Sequence, residues 1–141
     1  MPLTIHPERG MIVQCLYAPG FKPPEMVKKR AVIVVSPRLR KRDQLCAVVP
    51  LSTTNPTPVM PYHHRIKFSP TLPFPYEAEE CWVKGDMLNT VGFHRLSPLF
   101  LGKDHEGKRR YIFPKLSAED MAAVETCVLA GLGISLDSDE Q

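Results

Sequence analysis

RAVIVVSP, at Arg30–Pro37, and LCAVVP, at Leu45–Pro50, are the two runs of residues that decide the fold. Both are dominated by aliphatic side chains without polar alternation, which is typical of strands buried on both faces of a sheet. Each run stops at a proline, which cannot donate to a strand ladder. The basic stretch Arg38–Asp43 joins the two runs as a loop. The sequence therefore predicts a central antiparallel hairpin whose strands end at Pro37 and Pro50.

Further segments on both sides of this hairpin are predicted to form short strands. Tyr62–Phe68 alternates between residue types that suit the two faces of a half-exposed strand. Gly85 is expected to form a bulge inside a longer strand. The full set of additional strands is Met11–Tyr17, Tyr62–Phe68, Glu80–Thr90 and Lys108–Phe113.

One helix is predicted, near the C-terminus. Ser117 can cap its first turn, with Asp120 three residues later as the partner in a capping box. Apolar residues then recur at helical spacing and glycines follow them, namely Met121, Val124, Val128 and Leu132, with Gly131 and Gly133. The chain holds 15 prolines, about twice the usual share, which argues against further long helices.

These elements predict a mainly β protein with a C-terminal helix. The architecture expected is a small, strongly bent sheet or partly open barrel of about five to seven short strands. The length of 141 residues fits one domain. We place that domain at residues 1–136 and expect the acidic tail at 137–141 to be disordered.

Composition excludes several classes of protein. The longest uncharged apolar run, Ala31–Pro37, is far shorter than the ~20 residues that a membrane span requires. The N-terminus lacks the basic start and apolar core of a signal peptide, so we expect a cytoplasmic location and no membrane partner. The cysteines lack the close pairs of zinc sites, so we expect reduced, buried thiols, no metal and no cofactor. They are Cys15, Cys46, Cys81 and Cys127.

Charge is distributed unevenly along the chain. Residues 1–45 carry nine Lys or Arg against three Asp or Glu, whereas residues 114–141 carry one basic residue and six acidic ones. The net charge of the whole chain is only +3, which does not suit bulk binding to duplex DNA. The basic front half instead predicts one face that binds a polyanion.

Four segments occur along the chain in a characteristic order and spacing. They are Gly10–Val13, Arg30–Pro37, Val48–Thr54 and Trp82–Asp86. In this order they resemble the PemK/MazF family of toxins from type II toxin–antitoxin systems. The predicted helix also lies where that family has one.

The resemblance implies an SH3-like barrel of the PemK/MazF/CcdB type that usually forms a homodimer. It implies a metal-independent endoribonuclease that cleaves single-stranded RNA, including mRNA, and thereby inhibits growth. A cognate antitoxin protein would hold the enzyme inactive. The chain departs from the family at Ala31, where relatives usually have proline, and at Phe21–Met26, where they are often rich in glycine. Because of these departures, the alternative that the chain is a degenerate, inactive member of the family stays open.

The family's catalytic positions are matched residue by residue. Arg30 matches the catalytic arginine at the head of the second strand. Ser52 matches a hydroxyl position two residues after the strand-ending proline, and the adjacent Thr53 could substitute for it. Asp86 and Glu25 match acidic positions found in some members.

These residue types suit metal-free cleavage of RNA. The reaction requires deprotonation of a 2′-hydroxyl, stabilisation of charge on the phosphorane and protonation of the leaving 5′-oxygen. An arginine can hold two phosphate oxygens in a fork, and a hydroxyl can donate to the same phosphate. A carboxylate or a histidine can act as the base.

Basic and histidine residues are the candidates for RNA binding. Adjacent residues of a strand point to opposite faces, so at most one of His63 and His64 can reach the site. The candidates are Lys28, Lys29, Arg38, Arg40, Lys41, Arg42, His63, His64 and Lys84. The dense basic loop among them could steer phosphates or could be a solvated loop.

Each candidate also has a structural interpretation. Arg30 could be a solvated charge, and Ser52 or Thr53 could cap a turn. Asp86 could belong to a structural bulge. Trp82 could be a core residue or an aromatic platform for a base.

Two other functions remain open at the level of sequence. A toxin of the same fold could inhibit a protein target such as gyrase without being an enzyme, or a barrel of this kind could bind RNA without cutting it. Fold alone does not choose among these functions. The recurrence of a cationic, a hydroxyl and an acidic residue at matching positions favours the endoribonuclease.

Overall fold

The computed structural model describes residues 2–38 and 41–135, so the predicted acidic tail at 137–141 lies outside the described residues. Within them the chain forms nine strands, one α-helix and two 3-10 turns. The strands are β1 Ile12–Cys15, β2 Arg30–Val34, β3 Leu45–Ser52, β4 His63–Lys67, β5 Glu80–Lys84, β6 Asn89–Gly92, β7 Leu96–Ser97, β8 Leu99–Lys103 and β9 Arg109–Ile112. The helix is α1 Ala118–Gly131, and the 3-10 turns are Gly85–Met87 and Phe93–Arg95.

Seven of these strands form one bent antiparallel sheet in the order β4-β5-β3-β2-β1-β7, with β6 also paired to β3. The long strand β3 is the axis of the sheet. One of its edges pairs with β2, while its other edge pairs first with β6 and then with β5. The predicted central hairpin is confirmed as β2 and β3. The sheet remains open, as the expectation of a strongly bent sheet or partly open barrel allowed.

Pro50 does not end β3, and this part of the prediction is wrong. It lies opposite Val32 inside the strand, which continues to Ser52. The ladder with β6 extends only to Val48 and the ladder with β5 starts only at Leu51. Because Pro50 lies in the gap between them, its missing N–H leaves no ladder hydrogen bond unmade.

The predicted strand Glu80–Thr90 is divided into β5 and β6, and the bulge expected at Gly85 is a 3-10 turn instead. Helix α1 packs directly on this turn. A Cβ placed on Gly85 would lie 2.6 Å from the Cys127 carbonyl carbon and oxygen. Glycine is therefore required because two backbones approach each other here.

The predicted late strand is confirmed as β9, but its partner β8 was not predicted. The two strands form a separate hairpin outside the main sheet. A register shift near Gly102, which has φ +114°, makes β8 irregular. A run this short, with a glycine inside it, has little periodicity to predict.

The two faces of the sheet bury two separate cores. The first core lies under α1 and contains Ile12, Ala31, Ile33, Val49, Leu51, Ile66, Cys81 and Val83 from the sheet with Met121 and Val124 from the helix. The second core lies on the opposite face and contains Val13, Cys15, Tyr17, Met26, Val32, Val34, Cys46, Val48, Val91, Phe93 and Leu96. Burial of β2 on both faces is therefore confirmed.

Helix α1 is capped by Ser117 as predicted and ends at Gly131, the first of the two glycines predicted to end it. The Ser117 side chain accepts a hydrogen bond from the Asp120 N–H at 3.1 Å. Met121 and Val124 are buried as expected, whereas Leu132 is 57% exposed. Leu132 lies just beyond the last helical residue, Gly131, where the helical spacing no longer applies. No helix among the described residues is long and apolar enough to cross a membrane.

Candidate active site

Arg30 and Ser52 lie at the same end of the central hairpin. The ladder between β2 and β3 ends with Val32 opposite Pro50, and Arg30 and Ser52 are each two residues beyond that pair. On its other edge Arg30 pairs with Cys15, which belongs to the second core. Residues two apart in a strand share a face, so Arg30 and Ser52 both lie on the face of the second core, as Val32 and Val48 do.

The guanidinium of Arg30 is held at the margin of that core. The residue is half-buried, and its Nε is shielded from solvent without a hydrogen-bond partner. An unsatisfied donor of this kind is costly. A cationic donor in this position is therefore well suited to an anionic ligand.

Two tyrosines lie near this guanidinium. Burial raises the pKa of Tyr76 to about 12, and the charge of Arg30 acts in the opposite direction. Burial also raises the pKa of Tyr17, again opposed by Arg30. The hydroxyl of Tyr76 donates to Gln14 Oε1 at 2.8 Å, whereas the buried hydroxyl of Tyr17 has no oxygen or nitrogen partner and lies against the Cys15 thiol. Both phenols therefore stay protonated at neutral pH and can serve only as neutral hydrogen-bonding groups.

Ser52 is 3% exposed and its hydroxyl has a structural task. Its Oγ accepts a hydrogen bond from the Thr54 N–H at 3.1 Å. The turn-capping interpretation is therefore correct for Ser52. This bond uses only a lone pair, so the hydroxyl proton can still be donated to another acceptor. The neighbouring Thr53 is exposed.

A row of opposed residues runs outward from Ser52. In the ladder between β3 and β5, Ser52 lies opposite Trp82, and in the next ladder Trp82 lies opposite Arg65. We call Arg30, Ser52, Trp82 and Arg65 the cross-strand row. Trp82 belongs to neither core, so the interpretation of Trp82 as a core residue is wrong. Its Nε1 instead donates to Asn55 Oδ1 at 2.8 Å.

The outer face of β4 and β5 is rich in cations. His63 lies opposite Lys84, and Lys67 lies opposite Glu80. His63 and Lys84 therefore share the face of the cross-strand row. The ring of His63 is already engaged, since its Nδ1 accepts a hydrogen bond from the Met60 N–H at 3.0 Å.

His64 points to the other face, as the alternation of the strand predicts. Its Nε2 lies 3.4 Å from Asp120 Oδ1, at the start of α1. The structure therefore does not bring His64 to the cross-strand row.

Asp86 also lies away from the cross-strand row. It is an exposed residue of the 3-10 turn that follows β5. Its Cα would lie 2.7 Å from a Cβ placed on Gly131, so it abuts the end of α1. Within one chain, the structure does not place Asp86 beside Arg30 and Ser52.

Glu25 belongs to the first loop, which leads to Arg30. Its Oε1 accepts a hydrogen bond from the Lys22 N–H at 2.7 Å. The next residue, Met26, is buried in the second core and anchors the loop. Lys28 and Lys29 are exposed immediately before Arg30, so these two cations lie at the same end of the hairpin as the candidate site.

The basic loop lies at the opposite end of the hairpin. Arg38, Lys41 and Arg42 are exposed and follow the far end of β2, while Arg40 lies outside the described residues. The four residue steps of β2 alone extend roughly 13 Å. The structure therefore separates this loop from Arg30 and Ser52.

Tyr17, Tyr76 and Asn55 were not among the residues predicted for the site. Tyr17 lies two residues after the end of β1, and Tyr76 and Asn55 are on loops that the fold brings towards the cross-strand row. Apolar periodicity carries no information about such long-range neighbours.

The cysteines are free, buried thiols, as expected. Burial raises the pKa of Cys15 to about 12 and that of Cys46 to about 11. Both are therefore unreactive thiols at neutral pH. Among the residues that the structure describes, no three His, Cys, Asp or Glu side chains are grouped so that they could hold a metal ion.

Comparison with known families assigns the chain to a class. The family model described as "PemK-like, MazF-like toxin of type II toxin-antitoxin system" matches residues 8–132. The chain therefore belongs to this toxin family, as the four ordered segments indicated. A search among curated proteins finds no significant match.

Solved structures show the same fold at low identity. An endoribonuclease in complex with its cognate antitoxin from a mycobacterial species is 19% identical, with a TM-score of 0.59 over 92% of this chain and 98% of that chain. MazF (Form-I) from Deinococcus radiodurans is 17% identical, with a TM-score of 0.59 over 91% and 97% of the two chains. The toxin MazF-mt6 from Mycobacterium tuberculosis is 12% identical, with a TM-score of 0.55 over 90% and 99%.

Proposed function

We propose that this toxin-family protein is a metal-independent endoribonuclease that cleaves single-stranded RNA and so inhibits growth. Membership of the PemK/MazF-like family and the fold shared with endoribonucleases support the proposal. The observation that carries it is that Arg30, with its unpartnered buried Nε, lies at the same end and on the same face of the central hairpin as the hydroxyl of Ser52. An arginine fork and a free hydroxyl proton together suit a phosphate group.

The reaction uses the RNA's own 2′-hydroxyl as nucleophile. Its oxygen forms a bond to phosphorus, the bond from phosphorus to the 5′-oxygen breaks, and the products are a 2′,3′-cyclic phosphate and a 5′-hydroxyl. Arg30 holds the charge that develops on the phosphorane, and Ser52 donates to one of its oxygens. The 2′-hydroxyl loses one proton to a base and the 5′-oxygen gains one.

Tyr17 and Tyr76 do not act as the base at neutral pH, because burial raises the pKa of both phenols far above 7. Glu25, Asp86 and His63 remain the candidates for this role. Of the three, His63 shares the face of the cross-strand row and is the candidate base within one chain. Glu25 would require a rearranged first loop, and Asp86 would require a second subunit.

We also propose that the protein forms a homodimer and that a cognate antitoxin binds it. Two copies provide a longer groove for an extended strand than one small sheet can offer. The basic charge of residues 1–45 also suits an acidic antitoxin segment that folds on binding. We place this activity in the cytoplasm, where mRNA is available.

Incubation of the purified protein with a long single-stranded RNA in EDTA tests the activity. We expect fragments with 5′-hydroxyl and 2′,3′-cyclic phosphate ends, and a 2′-deoxy residue at the scissile position should block cleavage. Arg30→Ala should reduce the rate at least about a hundredfold, as loss of one electrostatic contact to the transition state does.

Arg110→Ala is the matched control, because Arg110 is an exposed arginine of β9 and lies outside the site. It should cleave at the rate of the original protein. Intact RNA under all conditions would exclude the endoribonuclease and favour a protein-directed toxin or a non-cleaving RNA-binding protein. Fragments with 5′-phosphate ends would contradict the proposed nucleophile.

A further inference from the structure

Trp82 has an unusual position for a tryptophan. It lies on the outer face of β5, is half-buried and packs into neither hydrophobic core. A large aromatic ring outside the core forgoes much of the stabilisation that its burial would provide. A binding role accounts for an aromatic residue in this position better than packing does.

The register of the sheet places this ring beside the candidate active site. Trp82 lies directly opposite Ser52, and Arg30 lies at the same end of the central hairpin, on the other side of β3. With neighbouring strands about 4.8 Å apart, β5 is roughly 10 Å from β2 across β3. Neighbouring nucleotides of one extended strand can bridge such a distance.

The indole is oriented by a hydrogen bond to the loop that follows β3. Its Nε1 donates to Asn55 Oδ1 at 2.8 Å, three residues after Ser52. This bond occupies the single hydrogen-bond donor of the ring. What the ring can offer a ligand is therefore its π face, which suits stacking.

The charges around the ring suit a polyanion. Arg65 is directly opposite Trp82, and Lys84 and Lys67 lie on the same face. The carboxylate of this face, Glu80, lies 3.7 Å from Arg65 in an exposed pair, which contributes little and can be exchanged for a phosphate. An aromatic ring among cations is the usual arrangement for binding single-stranded nucleic acids.

We propose that Trp82 stacks on a base of the RNA next to the scissile phosphate and that Arg65 contacts a neighbouring phosphate. This inference rests on the proposed function for the identity of the ligand. Under the proposed function Arg30 and Ser52 act on a phosphate, and the inference adds Trp82 as a residue that binds a base. Stacking at this position influences which sequences are cleaved.

The chain contains a single tryptophan, so its intrinsic fluorescence reports on Trp82 alone. The probe is a single-stranded 2′-O-methyl RNA of mixed sequence, which lacks the free 2′-hydroxyl and is not cleaved. We expect its addition to quench the fluorescence. Trp82→Leu should weaken binding of this probe about five- to a hundredfold, measured by anisotropy of a labelled oligonucleotide.

Two further variants separate stacking from general effects. Trp82→Phe should retain most of the affinity, because a phenyl ring also stacks. Phe100→Leu is the matched control, since Phe100 is a partly exposed aromatic residue of the separate hairpin β8–β9. It should bind as the original protein does. Circular dichroism and thermal unfolding verify that each variant is folded.

The outcomes distinguish this inference from the proposed function. Quenching and weaker binding by Trp82→Leu, without any cleavage of natural RNA, would support the stacking platform and contradict the endoribonuclease. Cleavage with unchanged fluorescence and equal affinity of folded Trp82→Leu would overturn the stacking platform alone. Quenching by an acidic peptide but not by the RNA probe would assign Trp82 to a protein partner and also overturn the inference.

Discussion

At the scale of single residues, the partly buried side chain of Arg30 lowers the free energy of unfolding. A shielded guanidinium nitrogen without a partner destabilises the free protein, because its hydration is lost and not replaced. The positive charge of the guanidinium would interact more strongly with a phosphate at the margin of the core than in water. Under the proposed function, the position of Arg30 reduces stability and prepares a binding site.

Two buried cysteine thiols predict how the free energy of unfolding depends on pH. Cys15 and Cys46 have pKa values raised by burial from 9.0 to about 12 and about 11. Above pH 9 the unfolded chain releases these protons while the folded chain keeps them. The stabilisation is therefore complete below pH 9 and is lost progressively above it, up to about pH 11 for Cys46 and about pH 12 for Cys15.

Guanidinium unfolding at pH 7, 9 and 11 measures this loss of free energy of unfolding. Cys46→Ala should flatten the decline between pH 9 and 11, because one titrating thiol is removed. A decline as steep as that of the original protein would show that Cys46 does not contribute.

At the scale of elements, the packing of α1 on the 3-10 turn depends on Gly85. Gly85→Ala would place a methyl group 2.6 Å from the Cys127 carbonyl, which cannot move without shifting the helix. We expect a loss of about 1–3 kcal/mol of unfolding free energy, measured by chemical denaturation.

Gly92→Ala provides the control for that substitution. Its added methyl group would meet the flexible ring of His94 at 2.7 Å, with φ at −79°. The ring can rotate away, so stability should change little. Equal losses in the two variants would contradict a role for the close approach of α1.

The elements also show what the sequence can predict. The runs around Val32 and Val48 identified the central hairpin because a strand buried on both faces needs continuous apolar residues. The prediction that β3 ends at Pro50 was wrong because Pro50 lies between the segments of β3 that pair with β6 and with β5. Only the structure shows this gap in pairing. The turn at Gly85 was likewise hidden, since it depends on a helix more than thirty residues later.

At the scale of the whole molecule, two basic regions are separated by the length of the central hairpin. Arg38, Lys41 and Arg42 lie at the end remote from Arg30. We expect their combined replacement by Ala to reduce the salt dependence of RNA binding, with the slope falling by up to about 2. The cleavage rate at saturating RNA should stay unchanged.

Binding of the uncleaved probe at several salt concentrations gives the slope, and single-turnover cleavage gives the rate. An unchanged slope would show that the loop does not contact phosphates. A large fall in the saturated rate would instead place the loop in the site, for example across a dimer.

The candidate site was only partly predictable from the sequence. Arg30 and Ser52 were predicted as site residues from their positions in two motifs, and the fold brings both to the same end and the same face of the central hairpin. Asp86 was expected beside them from its position in a motif, but the turn at Gly85 carries it to the end of α1. The fold brings Tyr17 and Tyr76 near Arg30 from distant parts of the chain. No local sequence pattern marks such neighbours.

The gap at Pro50 divides the sheet into two parts with unequal attachment. Only Leu51 and Ser52 of β3 pair with β5, so the hairpin of β4 and β5 is joined to the rest of the sheet by two ladder positions. Arg30 lies on one side of this seam and Trp82 on the other. Under the proposed function, an RNA strand that contacts both residues would bridge the seam. Its binding would then make the two parts of the sheet unfold more cooperatively, because the ligand would supply a connection that the backbone ladder lacks at Pro50.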